Sequence, residues 1–420
     1  MHAVILAGGD GKRIKYLTQD KQKTLLKINN KTIIRRQIDQ LSKINKKIFI
    51  LIKETDTSIK KNLKNIKAKK FIYLKENKKL GTAGCLEVLS NYDINNFLVI
   101  YSDILFNIDL EKFIKFHKKK KSDLTLFTHP NNHPHDSDLI EVNNSSQVVK
   151  FHKKPHKNKN FNNLCLSGIY IINKKLLKIL KKNKYQDFSK DFLPKIIKNK
   201  FKVYSYRSRE YVKDIGTPNR FKSGIKDFNS TKYKKGNINT KIPAIFLDKD
   251  GVLNTDRYNF KYQKPFEFID GYLEAIKKIN ENGFLAILVT NQPAVAKGFI
   301  TLNQLENDFK KLETILGKNG AYLDKIYFCP CHPDKGFKGE VKKFKRKCTW
   351  RKPNNGMLLR AIKDLNIDKK KSFMIGDTIN DFLAAKKTGI KFLKVGKIDI
   401  NRSALCFKNL KTAVNHIFKI

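Results

Sequence analysis

Two aspartates spaced two apart close an apolar run: Ile245-Phe246-Leu247 leads into Asp248-Lys249-Asp250-Gly251. Carboxylates at the end of a buried strand are costly unless they bind a metal or react. Ligands of open α/β sheets gather at that edge, and Gly251 permits the tight turn that would aim both side chains at a crevice. Near the other end, Val4-Ile5-Leu6-Ala7 runs into Gly8-Gly9-Asp10-Gly11-Lys12-Arg13. A glycine-rich turn lets backbone N–H groups approach nucleotide phosphates, and Arg13 adds a bidentate donor. It is not the Walker pattern, because no Gly-Lys-Ser/Thr follows. Three of the six cysteines, Cys329, Cys331 and Cys348, lie close together. In a chain of this length they read as metal ligands in a reducing compartment rather than as a disulfide framework.

The elements that must position these groups alternate. Short β-branched runs at His2–Ala7, Lys47–Lys53, Phe71–Lys75, Phe97–Asp103 and Asp123–His129 are separated by amphipathic stretches such as Thr32–Ile44 and Leu110–His117. A second series begins at Pro243 and continues through Phe284–Thr290 and Ser372–Asp377. Strand and helix in alternation predict an α/β fold. The polar segment 229–243, NSTKYKKGNINTKIP, reads as a linker between a domain at 1–228 and a domain at 244–420. The halves look like different folds, not a duplication.

Lys and Arg number 88 against 38 Asp and Glu, a formal charge of +50. The basic residues are spread along the whole length with no confined stripe and no nucleic-acid-binding motif, so solvated faces are expected and nucleic acid is not. Such a surface favours anionic small substrates without identifying them. No apolar run approaches a membrane span, and the first residues do not form a secretory signal, so a cytoplasmic protein is expected.

After the Asp248 motif come Thr290-Asn291-Gln292, then Arg351-Lys352-Pro353, then Gly376-Asp377 with Asp381 four residues on. In this order the groups resemble the haloacid dehalogenase phosphatases, over roughly Pro243 to the C-terminus. The resemblance implies a Rossmann-like parallel sheet with Asp248 as nucleophile and Asp250 as acid and base. Thr290 and Lys352 would hold phosphoryl oxygens, while Asp248, Asp377 and the Asp250 carbonyl would hold Mg²⁺. The segments NTDRYNF, TNQPAVAKG, FCPCHPDKG, RKPNNGML and GDTINDFLAAKKTG are similar, more narrowly, to D-glycero-D-manno-heptose 1,7-bisphosphate phosphatases. That likeness adds Asn291, Gln292, Arg351, Asp256 and Arg257 as substrate contacts. It also implies a zinc loop built from C-x-H and C-x-C pairs, in which Trp350 replaces one ligand. Cys329, Cys331 and Cys348 remain, with His332 as a possible fourth donor to Zn²⁺. Thr378 stands where the family has lysine.

In the first half, the glycine turn is followed in order by Lys23-Thr24-Leu25, Leu80-Gly81-Thr82-Ala83-Gly84, Tyr101-Ser102-Asp103, Ser167-Gly168 and Asp214-Ile215-Gly216-Thr217-Pro218. This series resembles the sugar-1-phosphate nucleotidylyltransferases over about residues 1–228, implying a Rossmann-like mixed sheet. Gly8, Gly9, Gly11, Arg13 and the catalytic Lys23 would bind the triphosphate. Gly81, Thr82 and Gly84 would face the base, Lys154 and Gly168 the sugar phosphate, and Asp103 with Asp214 a second Mg²⁺. The family's P-K-P is Gln22-Lys23-Thr24 here, without either proline, and its E-K-P is Lys153-Lys154-Pro155, with lysine in place of the glutamate. A phosphatase that makes heptose 1-phosphate and a transferase that consumes it, with GTP as donor, would together supply activated heptose for surface polysaccharide. A phosphatase of the histidinol phosphate type fused to a hexose-1-phosphate transferase is the competing enzyme reading. A basic nucleic-acid-binding protein on degenerate folds is the non-enzymatic one, which intact Asp248, Asp250 and Asp377 oppose.

Overall fold

The computed structural model describes residues 1–9, 11–14, 22–44, 47–66, 70–156, 160–255, 267–396 and 405–419. The chain divides into two compact units. The first comprises Met1–His129, Asp136–His156 and Leu164–Ile238, and the second comprises Pro130–His135, Lys157–Asn163 and Asn239–Ile420.

In the first unit the strands are β1 His2–Leu6, the short β2 Lys27–Ile28 and β3 Lys31–Thr32, β4 Lys47–Lys53, β5 Lys70–Glu76 and β6 Asn96–Tyr101. They continue with β7 Ile104–Asn107, β8 Leu124–His129, β9 Leu139–Val142, β10 Val148–His152, β11 Cys165–Asn173, β12 Val203–Arg207 and β13 Tyr211–Asp214. The main sheet runs β10-β9-β11-β6-β1-β4-β5, with β8 pairing β11 and β12. The portion β6-β1-β4-β5 is parallel, whereas β11 pairs β6 and β8 antiparallel, so the sheet is mixed. Its parallel strands are apolar on both faces because both are covered: Val4, Phe49 and Val99 lie in one buried cluster and Ala3, Ile5, Ile48 and Ile50 in another. The run expected at Phe97–Asp103 stops at Tyr101, which leaves Asp103 in the turn before β7. A small antiparallel pair, β13 with β7, registers Asp214 opposite Ile104 and so brings the two distant aspartates to one place.

The expected linker is partly folded. Thr231–Lys235 is helical, and Tyr233 anchors it by donating its hydroxyl to the Phe106 carbonyl at 3.1 Å and by packing on Tyr211 and Phe228. Polar composition hid that one aromatic anchor. The units part after Ile238, within that segment.

In the second unit, β14 Ala244–Leu247, β15 Leu285–Asn291, β16 Lys325–Cys329, β17 Phe373–Gly376, β18 Lys391–Val395 and β19 Leu405–Phe407 form an all-parallel sheet. Its order is β16-β15-β14-β17-β18-β19. Ile245 and Leu247 face one buried cluster and Ala244 and Phe246 the other, the two-sided burial that a continuous apolar run demands. Leu247 is level with Leu288 and Ile375, so the residues that follow β14, β15 and β17 emerge together at one edge.

The helix Leu302–Lys318 of this unit starts with a capping box at Thr301 and Gln304. It receives two earlier pieces of chain. The Phe161 N–H donates to Thr314 Oγ1 at 2.9 Å, and the Asn163 N–H and Asn162 Nδ2 donate to Glu313 Oε2, each at 3.1 Å. Glu313 is buried, so these donors offset part of its desolvation. Beside it a Cβ at Gly317 would stand 2.2 Å from Pro134 Cγ. Helix propensity alone would favour Gly317→Ala by about 1 kcal/mol, but overpacking against a proline ring costs about 1–3 kcal/mol. Urea unfolding should therefore find Gly317→Ala less stable than the parent; equal or greater stability would show that the contact yields.

Candidate functional site

At the carboxyl edge of the second unit's sheet, Asp248 follows β14, its N–H bonded to the Ile375 carbonyl at 3.0 Å. Lys352, 1% exposed, reaches this edge from another segment. Its Nζ is 2.8 Å from Asp248 Oδ1, 2.6 Å from Asp381 Oδ1 and 2.9 Å from the Val289 carbonyl. Asn291 positions that lysine's backbone by a reciprocal pair: Nδ2 donates to the Lys352 carbonyl at 2.9 Å, and the Lys352 N–H donates to Asn291 Oδ1 at 3.0 Å. Gln292 Nε2 donates to Asp250 Oδ2 at 2.8 Å and to Thr290 Oγ1 at 3.0 Å. The other oxygen of Asp250 accepts from Asn254 at 2.8 Å and from Lys249 at 2.5 Å. Lys249 is wholly buried; sequence reading passed over it because it stands between two more conspicuous residues. Gly251 has φ +80°, and a Cβ there would sit 2.0 Å from Asp377 Oδ2. The turn and the approach to Asp377 both require glycine.

Asp248, Asp377 and Asp381 can each place an oxygen within 4.8 Å of the others. Burial, with Asp381 next to it, pushes the Asp248 carboxyl up to about 8 despite Lys352. Burial and Asp381 likewise push Asp377 up to about 6. Burial pulls the Lys352 ammonium down, but Asp248 and Asp381 outweigh it and hold it above its usual range. Asp377 Oδ1 is buried without a hydrogen-bond partner. Three oxygen donors with more negative charge than one lysine balances, and one orphaned oxygen among them, fit a hard divalent cation. Thr378 caps the helix Ile379–Thr388 in a box with Asp381, whose Oδ2 accepts from the Thr378 N–H and hydroxyl at 3.1 and 2.7 Å.

In the nearby loop, Cys329, Cys331 and Cys348 bring their sulfurs within 4.8 Å of one another. Burial pushes the Cys329 thiol up to about 12. Three thiols offer three of the four donors of tetrahedral zinc. His332 is not in the group: its Nε2 lies 3.7 Å from Asp334. Arg351 donates to the Cys331 carbonyl at 3.2 Å, which ties it to this loop. Asp256 and Arg257 lie outside the described residues.

In the first unit the groups gather around Gly216. A Cβ there would be 2.9 Å from Asp103 Oδ2, 2.9 Å from Asp214 Oδ1 and 3.6 Å from Arg13 Nη2. Lys23 pairs with Asp103, and its stem packs beside Gly9 and Gly11. Three residues missed by sequence reading complete the site. Arg220 bonds both Asp214 (2.6 Å) and Asp136 (2.9 Å), and Asp136 also holds Lys154 Nζ at 3.2 Å. Glu76 stands against the glycine turn: a Cβ at Gly8 would lie 2.6 Å from its Oε2, while its Oε1 accepts from the Leu80 N–H at 2.6 Å. The signals were slight: Arg220 lies two residues past Thr217-Pro218, Glu76 four before Leu80 and Asp136 in a polar stretch, and none of these positions bears a chemical signature by itself. Gly81 and Gly84 have a packing reason to be glycine, since a Cβ on either would meet the Gln186 or Lys184 carbonyl at 2.5 or 2.6 Å. The Thr82 hydroxyl donates to Asp187 at 3.1 Å and accepts from the Phe188 N–H at 2.8 Å. Gly168, at φ +78°, lies against the Tyr101 ring.

Residues 2–230 match the nucleotidyl transferase family, and residues 349–404 match the HAD-hydrolase-like family. The C-terminal half is similar to the D-glycero-β-D-manno-heptose-1,7-bisphosphate 7-phosphatase of Yersinia pestis, 44% identical over 149 residues, 36% of this chain and 77% of that protein. The Escherichia coli K12 protein of the same name is 41% identical over 144 residues, 34% of this chain and 73% of that protein. Among solved structures, HddC from Yersinia pseudotuberculosis is 26% identical with a TM-score of 0.47, covering 54% of this chain and 99% of that one.

The carboxylate cluster has a cost that can be measured. A carboxyl whose folded value of about 6 exceeds its ordinary unfolded one favours the fold when protonated. Asp377 is therefore without cost below about pH 4 and increasingly destabilising as the pH rises through 6. In chelator-treated protein at pH 7.5, Asp377→Asn should raise stability by about 2–3 kcal/mol, and the gain should fade on acidification toward pH 4. Thermal unfolding across that range checks it; a gain that grows on acidification would have the wrong sign.

Proposed function

The chain belongs to the nucleotidyl transferase family through residues 2–230 and to the heptose-bisphosphate 7-phosphatases through its C-terminal half, and from that premise we propose that it catalyses two consecutive steps. The phosphatase unit removes the 7-phosphate of D-glycero-D-manno-heptose 1,7-bisphosphate. The transferase unit then joins GMP from GTP to heptose 1-phosphate. The observation that carries the reading is the buried Asp248–Lys352 pair facing Asp377 at the edge where β14, β15 and β17 end.

In the first step an Asp248 oxygen forms a bond to phosphorus as the bond to the sugar alkoxide breaks, and Asp250 gives that alkoxide its proton. Gln292 and Asn254 keep Asp250 pointed at the leaving oxygen. Lys352 and Thr290 neutralise the nonbridging oxygens. Asp250, now a base, takes a proton from water, whose oxygen attacks the aspartyl phosphate, frees inorganic phosphate and restores Asp248. Mg²⁺ would be held by Asp248, Asp377 and the Asp250 carbonyl, supplying the positive charge that lets Asp248 ionise beside a phosphate. The thiols of Cys329, Cys331 and Cys348 would hold Zn²⁺ as a clamp on the loop, with His332 reaching it only if its side chain turns.

In the second step an oxygen of the sugar phosphate attacks the α-phosphorus and pyrophosphate leaves. This is chemistry of alignment and charge rather than of covalent intermediates. Arg13, Lys23 and the glycine turn hold the triphosphate, Asp103 and Asp214 a second Mg²⁺, and Lys154 the sugar phosphate. A guanine base presents two adjacent N–H donors, and the Glu76 carboxylate beside the glycine turn is an acceptor suited to them. The order of the steps follows from the substrate: a partner that removed the anomeric phosphate would destroy the transferase's nucleophile.

Phosphorus NMR on both anomers of heptose 1,7-bisphosphate, with GTP and the other triphosphates compared, tests the reading. The 7-phosphate signal should vanish first and a sugar-nucleotide diphosphate should then appear. Asp248→Asn should abolish phosphate release while sparing nucleotidyl transfer from supplied heptose 1-phosphate. Asp103→Asn should do the reverse. Loss of the anomeric signal first, or one substitution silencing both reactions in folded protein, would sink the two-site assignment.

A further inference from the structure

We propose that Arg220 is an exchangeable counter-ion: it neutralises Asp214 until a divalent cation arrives, and it then binds the sugar phosphate together with Lys154. This rests on the nucleotidyl-transfer reading of the first unit.

Both carboxylates that face Gly216 are already balanced by cations of the chain. Lys23 pairs with Asp103, and Arg220 Nη1 donates to Asp214 Oδ2 at 2.6 Å. The other Asp214 oxygen accepts from the Gly216 N–H at 2.7 Å, so both oxygens are engaged and Arg220 neutralises the charge that an ion would meet. The guanidinium also reaches away from it, since Nη2 donates to Asp136 Oδ2 at 2.9 Å. Asp136 Oδ1 accepts in turn from Lys154 Nζ at 3.2 Å. Asp136 thus holds two cations side by side, and with Asp214 taken by an ion it alone would balance both.

Backbone geometry makes the exchange a matter of side-chain rotation. Arg220 is the third residue of the helix Pro218–Asn229, and its N–H is bound by the Thr217 cap at 3.4 Å. Its stem is therefore fixed while its head is a fifth exposed and Asp136 is half exposed. Ion pairs at that exposure are held by little net free energy, so a dication can take Asp214 from Arg220. The released N–H groups remain next to Lys154. A sugar phosphate carries more negative charge than Asp136 and offers paired oxygens, the geometry a guanidinium recognises bidentately. Arg220 thereby makes sugar-phosphate binding conditional on the cation, without any movement of the fold.

The test uses the full chain in an Asp377→Asn background, so that the phosphatase cluster does not take the probe ion. Mn²⁺ alone is titrated by electron paramagnetic resonance, and heptose 1-phosphate binding is then read by calorimetry with and without Mn²⁺. Arg220→Met should bind Mn²⁺ about tenfold more tightly, because the competing hydrogen-bonded charge is gone. The same variant should raise KM for heptose 1-phosphate about tenfold or more and leave KM for GTP within about twofold of the parent (an estimate for a contact not made to the nucleotide). Arg220→Lys keeps the charge, so its Mn²⁺ affinity should stay near the parent's while its sugar-phosphate binding still falls. A purely structural arginine would weaken Mn²⁺ binding when replaced. Unchanged or weaker Mn²⁺ binding in Arg220→Met, or an unchanged KM for the sugar phosphate, overturns the proposal. A parent chain that transfers no nucleotidyl group overturns the transferase reading instead, in an assay separate from the Mn²⁺ titration.

Discussion

Repulsion between carboxylates is what both sites are built to contain. A chain with 88 basic and 38 acidic residues could surround every acid with lysines, yet at the strand ends it sets Asp248, Asp377 and Asp381 within 4.8 Å of each other. The arrangement persists because the rest of the second unit over-determines it. Six parallel strands fix where each aspartate emerges, Gly251 removes the side chain that would keep Asp377 away, and the capping box holds Asp381. One buried lysine offsets part of the charge. A well-packed apolar core could have been stabler, so the cluster costs the fold stability that packing alone would not.

The first unit meets the same problem in wetter surroundings and solves it differently. There Asp103 and Asp214 are neutralised by Lys23 and Arg220, side chains that remain partly exposed. In water-rich surroundings such pairs exchange readily, whereas a lysine buried among carboxylates does not. The contrast suits the two proposed reactions. A nucleophile that forms a covalent intermediate would need to stay in one place, whereas a transferase would admit two phosphorylated substrates and then release its products.

What the sequence disclosed is what local pattern encodes. Between Lys47 and Lys53 the run Ile48–Ile52 is apolar without interruption, and Lys47–Lys53 forms a parallel strand whose centre is buried. The Asp248, Thr290, Lys352 and Asp377 segments are legible because each combines an apolar run or a proline with a polar terminus, and the sheet brings them to one edge. Pattern fails where a role is made by tertiary contact alone. Arg220, Asp136 and Glu76 look like surface charges until the fold sets them beside Asp214, Lys154 and Gly8. Composition did not disclose the short helix within 229–243 for a related reason, since one tyrosine suffices to seat a helix whose other residues are polar.

The second unit is completed by chain that is made long before it. Phe161 and Thr314, bonded in the finished protein, are 153 residues apart. At ordinary translation speeds that interval lasts roughly ten to thirty seconds, during which Phe161 and Asn163, both buried in the end, have left the ribosome while the helix that receives them does not yet exist. The phosphatase half is thus assembled around a piece delivered in advance. A gene cut at the junction between the units would yield a product missing part of its own interior, and a separation of the two enzymes in evolution would have had to rebuild that helix face for water.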